Sequence, residues 1–255
     1  MSGFYRSIIR YYDAENRGKD DDITLYSQLA SEYGDPILEI GCGTGRVMIP
    51  LAHQGYTVHG IDNEAAMIEQ VQAYADTDAT LKANMHLHYG DVITYALDKQ
   101  FKLVLATYNL LMHFHEQDDQ LAVLRKLHTW TADDGLLVID LPNAGEVFAT
   151  QETDAIMLDR TFLEPQTGHM VMQQSHSVLD RTTQLLQITW IYDEIIADGT
   201  LRRTTATHHL YYYFYAELAL LLKLAGFEVE AVYGDTDYTP FVDGVERMIV
   251  FAHKV

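Results

Sequence analysis

The chain has 255 residues, 48% of them hydrophobic, enough for one α/β domain with a sizeable core and a modest insertion. Its formal net charge of −20 opposes phosphate backbones and anionic lipid, which argues against a nucleic-acid partner or a membrane surface. A single cysteine, Cys42, excludes a disulfide framework and a cysteine-rich zinc site. With no signal-peptide core and no apolar run near the roughly 18 residues of a membrane span, a cytoplasmic protein is expected.

Residues 23–33 place Ile23, Leu25, Tyr26 and Leu29 at helical spacing, and Gly34-Asp35-Pro36 stops that helix. Ile37–Ile40 reads as a short buried strand, 45–53 as a helix ended by Gly55, and 56–61 as a second strand. A helix over 65–74 and a strand over Met85–Tyr89 follow. The nearly continuous apolar run at 101–108 fits a strand buried on both faces of a parallel sheet. Gln117–Trp130 is helical, Asp134-Gly135 turns the chain, and 136–141 is another buried strand. This alternation implies a Rossmann-like, doubly wound, mostly parallel sheet.

The pattern changes after Pro142. Strand-like runs flank Arg181-Thr182 and Asp198-Gly199, so three or four antiparallel strands are expected in an insertion over 145–211. A helix closed by Gly226 and a last strand pair, Phe227–Tyr233 with 248–253, complete one domain over 1–255. Residues 1–33 form an N-terminal helical cap in this reading. "YYYFY" at 211–215 is expected to alternate faces, half of it buried.

The most informative stretch is "PILEIGCGTGR", 36–46. A strand that ends in Gly41, Gly43 and Gly45 brings bare backbone N–H groups close to a ligand. A dinucleotide fingerprint requires its third glycine at 46, where Arg46 stands. The pattern therefore argues against a pyrophosphate and against a nicotinamide oxidoreductase.

"LEIGCGTGR" resembles the first motif of class I S-adenosylmethionine (SAM) dependent methyltransferases. The resemblance implies that Glu39, Gly41, Cys42, Gly43, Gly45 and Arg46 line the methionine and ribose of SAM. It continues at the family's intervals. Asp62, with Asn63 and Met67 in "GIDNEAAM", stands where the family grips the ribose hydroxyls, and an ionised carboxylate accepts both protons. "HYGDV" resembles the adenine site, with Gly90, Asp91 and the Val92 N–H. "ATYNLLMHF" brings Thr107, Tyr108 and Asn109 to the reaction centre. "YYDAENRGKDDDITLYSQLA" and "ELALLLKLAGFEVEAVYGD" look like a bacterial small-molecule group that includes sugar-amine N-methyltransferases. In that group the insertion covers the substrate and often builds a homodimer.

Several residues admit two readings. Glu39 either anchors the cofactor's amino group or braces loop N–H groups. Arg46 meets the methionine carboxylate, or is a surface cation or a partner of Glu39. His113 is the best candidate base, its ordinary pKa near ~6.5 suiting that work. In similar proteins the segment with Tyr11 and Tyr12 folds over the cofactor, and Tyr12, directly before Asp13, is the second catalytic candidate. Tyr26 reads as core by its spacing. His208 and His209 read as a strand pair with opposite-facing rings. Arg202, Arg203 and Arg247 are candidate substrate cations, and no metal motif is present. The expected activity is methyl transfer to an amine nitrogen, or a hydroxyl oxygen, of a small metabolite. A non-catalytic SAM-binding scaffold is the alternative.

Overall fold

The computed structural model describes residues 8–12, 14, 20–150 and 155–255. Parts of two expected features, the cap (1–7, 13 and 15–19, Asp13 included) and the insertion (151–154), lie outside the described residues. The elements in order are α1 (Asp21–Tyr33), β1 (Ile37–Ile40), α2 (Met48–His53), β2 (Val58–Asp62), α3 (Ala65–Ala75), α4 (Ala79–Asn84), β3 (Met85–Tyr89) and β4 (Phe101–Ala106). A 3-10 turn, Leu110–His113, precedes α5 (Gln117–Trp130), β5 (Thr131–Pro142) and α6 (Ala144–Thr150). Then come β6 (Met157–Leu163), β7 (Met170–Asp180), β8 (Leu185–Ile195), β9 (Leu201–Tyr211), α7 (Tyr215–Ala225), β10 (Phe227–Tyr233) and β11 (Arg247–Lys254).

The main sheet has the order β10-β11-β5-β4-β1-β2-β3. The five strands from β5 to β3 are parallel, and β11 runs antiparallel between β5 and β10. The chain winds outward from β1 to β3, then returns to β4 on the other side of β1. That reversal opens a crevice at the carboxyl ends of β1 and β4, where such sheets hold ligands. β4, buried at every residue except Lys102, serves both faces. Leu103 and Leu105 pack with Leu25 and Leu29 of α1 and Leu51 of α2, whereas Val104 and Ala106 pack with Val123 and Leu127 of α5 and Leu218 and Leu222 of α7. This period-two division explains the continuous apolar run.

Three local expectations change. β5 begins at Thr131, because Phe101 pairs with Thr131 and Leu103 with Leu136, so residues 132–135 loop out opposite Lys102. The Asp134-Gly135 bend is real but sits inside the strand, and a Cβ on Gly135 would stand 2.8 Å from the Phe101 carbonyl oxygen. The six-residue α4 has no apolar period to announce it, but the Asp78 side chain caps it, accepting from the Thr80 and Leu81 N–H groups. Tyr211, Tyr212 and Tyr213 are all buried rather than alternating, since β9 ends at Tyr211 and the chain then packs into the core beside α5 and α7.

The insertion is a second, antiparallel sheet, β6-β7-β8-β9. The helical residues 8–12 pack on it, Ile8 and Tyr11 joining Val171, Tyr192 and Ala206. Among the described residues no helix is long and apolar enough to cross a membrane.

Candidate active site

A cavity of about 300 Å³ lies at the carboxyl ends of β1, β2 and β4, and the insertion sheet forms its opposite wall. Its base is the glycine loop. Gly41, Gly43 and Gly45 have φ of 68°, 53° and 88°, a region that L side chains disfavour. The Gly41 and Cys42 N–H groups donate to the Ile61 carbonyl at 2.8 and 3.2 Å, tying the loop to β2. Space divides the three glycines. A Cβ on Gly41 would stand 2.6 Å from Leu110 Cδ1, and one on Gly45 2.7 Å from Val71 Cγ2. A Cβ on Gly43 would meet nothing within 4 Å, so its backbone is the bare surface offered to an occupant. Gly45 does not line the cavity. It lies beneath the loop, against Val71 and Ile49 of the neighbouring helices, and α2 starts later than expected, at Met48.

Two carboxylates frame this loop. Asp62, at the end of β2, accepts from Gly43 N–H at 2.9 Å and from Glu64 N–H at 2.8 Å. Burial pushes its pKa up against those two hydrogen bonds. Glu39 is buried on β1. Burial raises its pKa to about 8, although Arg46 and the Met48 N–H both favour its ionised form. Its Oε2 has no hydrogen-bond partner among the described residues. Glu39 therefore braces a backbone N–H and also leaves a buried acceptor beside the cavity, so its two readings are compatible.

Arg46 is held by Asp22 of α1 through two hydrogen bonds of 2.7 and 2.6 Å, with its guanidinium 4.7 Å from the Tyr108 ring centre. Its carboxylate partner is thus Asp22. Tyr108 and Asn109 both have positive φ, 50° and 68°. Two consecutive non-glycine residues in this region are strained, and such strain clusters at functional sites. The surroundings hold it in place: Asn109 N–H donates to the Asp140 carbonyl at 3.1 Å, and Arg247 donates to Asn109 Oδ1 at 3.1 Å. Arg247 also donates from Nε to Asp140 at 2.9 Å, which accounts for this candidate substrate cation. Arg202 and Arg203 pair with Glu194 and Asp193. Tyr26 is core, its hydroxyl donating to Asp140 at 3.3 Å.

The cavity brings together most of the expected residues: Tyr12, Glu39, Gly41, Cys42, Gly43, Arg46, Asp62, Asn63, Met67, Gly90, Asp91, Val92, Thr107, Tyr108, Asn109 and His113. Asp91 also closes a local turn, its Oδ1 accepting from Ile93 N–H at 2.8 Å. Tyr11 does not join them. Its ring stacks on Tyr192 at 4.7 Å and its hydroxyl donates to Glu194 at 3.3 Å. Neighbours on a helical turn point about 100° apart, so only one of the two tyrosines faces the cavity.

His113 Nδ1 lies 2.6 Å from His208 Nε2, so the 3-10 turn and β9 meet across the cavity. Burial and the adjacent ring lower the pKa of His113 to about 3, and burial lowers that of His208 to about 4. His113 therefore does not keep its ordinary pKa; both rings are neutral at pH 7. Sequence reasoning placed His208 on a strand but not at the site. It also missed Gln173 and Trp190, which line the insertion wall. Strand periodicity was the available signal, but it does not say which face docks.

The donor set fits SAM. An unpartnered buried carboxyl oxygen suits an ammonium, the bare Gly43 backbone allows close approach, and Asp62 supplies acceptors for hydroxyls. Comparison with known proteins agrees. Residues 37–135 match the family model described as "Methyltransferase domain". The chain is 25% identical over 221 residues to the cypemycin N-terminal methyltransferase of a Streptomyces species, covering 87% of this chain and 84% of that one. The CcbJ methyltransferase of Streptomyces caelestis superposes with a TM-score of 0.78 at 23% identity, over 93% of this chain and 96% of the other. SAM-bound CalS10 from Micromonospora echinaspora, an amino pentose methyltransferase, superposes at 0.72 with 18% identity, over 94% of both chains. The chain therefore carries a methyltransferase domain, matched over residues 37–135, in a class I methyltransferase fold.

Proposed function

We propose that this enzyme methylates an amine nitrogen of a small metabolite, at the end of the cavity where the 3-10 turn meets the insertion. The observation that carries this reading is the neutral His113–His208 pair. A phenol or alcohol must lose its proton to react, and an imidazole with a pKa near 3 is far too weak a base for that step. A neutral amine already holds its lone pair and needs only orientation and dryness. The relatives named above, an N-terminal and an amino pentose methyltransferase, point the same way.

SAM, when bound, supplies a methyl group on a positively charged sulfur. In our reading Asp62 holds its ribose, Asp91 and Val92 its adenine, and Gly41, Cys42, Gly43, Glu39 and Arg46 its methionine end, with Asn63, Met67, Gly90, Thr107, Tyr108 and Asn109 around them. His113 accepts an N–H of the acceptor and turns the lone pair inward, and His208 fixes the tautomer of His113. Tyr12 closes the site from the N-terminal segment, and the insertion excludes water. We also propose a cytoplasmic setting and a homodimer built on the insertion. The exposed Met157, Leu158 and Leu163 on edge strand β6 support the dimer.

The test is transfer of labelled methyl to a mixed panel of amines and phenols. Amines are expected to accept and phenols not. The pH profile of kcat is expected to show no break near 6.5, and His113→Ala to lower kcat about 10–100-fold. A break at 6.5, or phenols as the better acceptors, would restore His113 as a base and overturn the nitrogen assignment.

Glu39 makes a second expectation. Burial holds it protonated at pH 7, and a cation beside it favours the carboxylate. SAM binding at pH 7 is expected to release about one proton. Calorimetry in phosphate and in Tris reads this as a difference in apparent enthalpy, and Glu39→Gln is expected to abolish it. Equal enthalpies in the two buffers for the unsubstituted protein refute the assignment.

A further inference from the structure

We propose that Gln173 selects the acceptor by taking a hydrogen bond from a hydroxyl or N–H of an amine that carries no net negative charge. The inference rests on the amine-directed reading above and adds the chemistry of the remainder of the acceptor.

Gln173 stands on β7, opposite Arg160 of β6 and Tyr192 of β8. Its side chain lines the cavity, is 3% exposed, and has a carboxamide oxygen with no hydrogen-bond partner among the described residues. Buried carbonyl oxygens are rarely left so, because the lost hydration is not recovered. The terminal torsion of glutamine is broad, so the carboxamide turns toward an occupant at little cost. A donor on the acceptor supplies the missing partner. Trp190, on the adjacent strand, lines the same wall and offers an apolar face beside this polar group.

Charge sets the class. The two charged side chains lining this wall, Asp159 and Arg160, are sequence neighbours of opposite sign and sum to zero. His113 and His208 are neutral. Of the other guanidiniums of the insertion, Arg202 pairs with Glu194 and Arg203 with Asp193, while Arg181 donates to the Phe148 carbonyl; Arg10 of the N-terminal segment also reaches Glu194. A phosphate or carboxylate on the acceptor would meet a wall with no net positive charge, on a chain of net charge −20. A carboxamide matches uncharged donors and acceptors, and a site built to pair a polar group rejects analogues that lack it.

The experiment screens about one hundred small amines and phenols, spanning neutral, cationic and phosphorylated or carboxylated compounds, with labelled SAM. The best acceptor found then serves as the probe for Gln173→Leu and Gln173→Asn. We expect that acceptor to carry no phosphate or carboxylate. We expect Gln173→Leu to raise its KM about 10-fold or more, with kcat and SAM affinity each changed less than about 3-fold. Gln173→Asn, which keeps the carboxamide on a shorter stem, is expected to fall between. SAM affinity by calorimetry shows that each variant is folded. An anionic best acceptor, or an unchanged KM in a folded Gln173→Leu, overturns this proposal and leaves the amine reading intact. A phenol as best acceptor overturns the amine reading, and the KM of Gln173→Leu for it still judges Gln173. No turnover with any compound counts against both.

Discussion

Replacing Asp62 with alanine is expected to weaken SAM binding by about 30- to 1,000-fold, with little loss of folded protein. The carboxylate does two jobs. It accepts the Gly43 and Glu64 N–H groups at 2.9 and 2.8 Å, holding the loop in its left-handed course. It also faces the cavity with charge-assisted acceptor capacity for hydroxyls. Losing two such hydrogen bonds costs roughly 2–4 kcal/mol of binding. Loosening the loop adds to this, because Gly43 N–H then lacks its partner. Asp62→Asn keeps one acceptor oxygen and the side-chain shape, so its loss is expected to be several-fold smaller. Calorimetric titration of SAM and S-adenosylhomocysteine, with a thermal melt as folding control, decides the matter. Unchanged affinity in a folded Asp62→Ala protein refutes the ribose assignment and, with it, the orientation of the cofactor in the cavity.

The strands and the loop were legible because their signals are local. β3 and β10 fall where they were expected, Met85–Tyr89 and Phe227–Tyr233, since each alternates apolar with polar residues and is followed directly by a glycine, Gly90 or Gly234. The glycine loop was legible for the same reason: alternate glycines after a buried strand allow few other uses. α4 was illegible at six residues, although its Asp78 cap was available as a clue. The insertion wall was illegible for a different reason. Period-two reading places Gln173 and His208 on strands but does not say which face docks over the loop, and docking alone brings His208 within 2.6 Å of His113. The place of Tyr11 is hidden by the same gap: its partners, Tyr192 and Glu194, lie more than 180 residues away in the chain. Gly45 shows the converse. A motif match assigned it to the ligand, while its missing side chain actually serves the approach of Val71 and Ile49.

Acid is expected to destabilise the protein well above the range where carboxylates titrate. Three histidines are neutral in the fold, chiefly through burial: His59 with a pKa near 3, His113 near 3 and His208 near 4. His59 is held on β2 by His88, 2.9 Å away, and Lys99, 3.2 Å away; Lys99 is a cation that opposes its protonation. In the unfolded chain each ring takes up a proton below about pH 6.5. From there down to about pH 4 the unfolded state binds more protons than the native one, so stability falls as pH falls. Each pH unit is worth at most about 1.4 kcal/mol per ring. Glu39 works against this trend, because its folded pKa is raised, and Asp62 and Asp140 are raised in the same sense. The net loss from pH 7 to pH 5 is therefore expected to be about 2–3 kcal/mol, a large part of the stability of an ordinary domain. Urea unfolding at the two pH values reads it as a lower midpoint at similar slope. The assignment of opposing groups is testable by substitution: Glu39→Gln is expected to steepen the fall and His59→Gln to flatten it. A midpoint that stays level between pH 7 and 5 in all three proteins would mean that these imidazoles take up protons while the fold is intact, and the neutral His113–His208 pair on which the choice of nitrogen rests would fall with it.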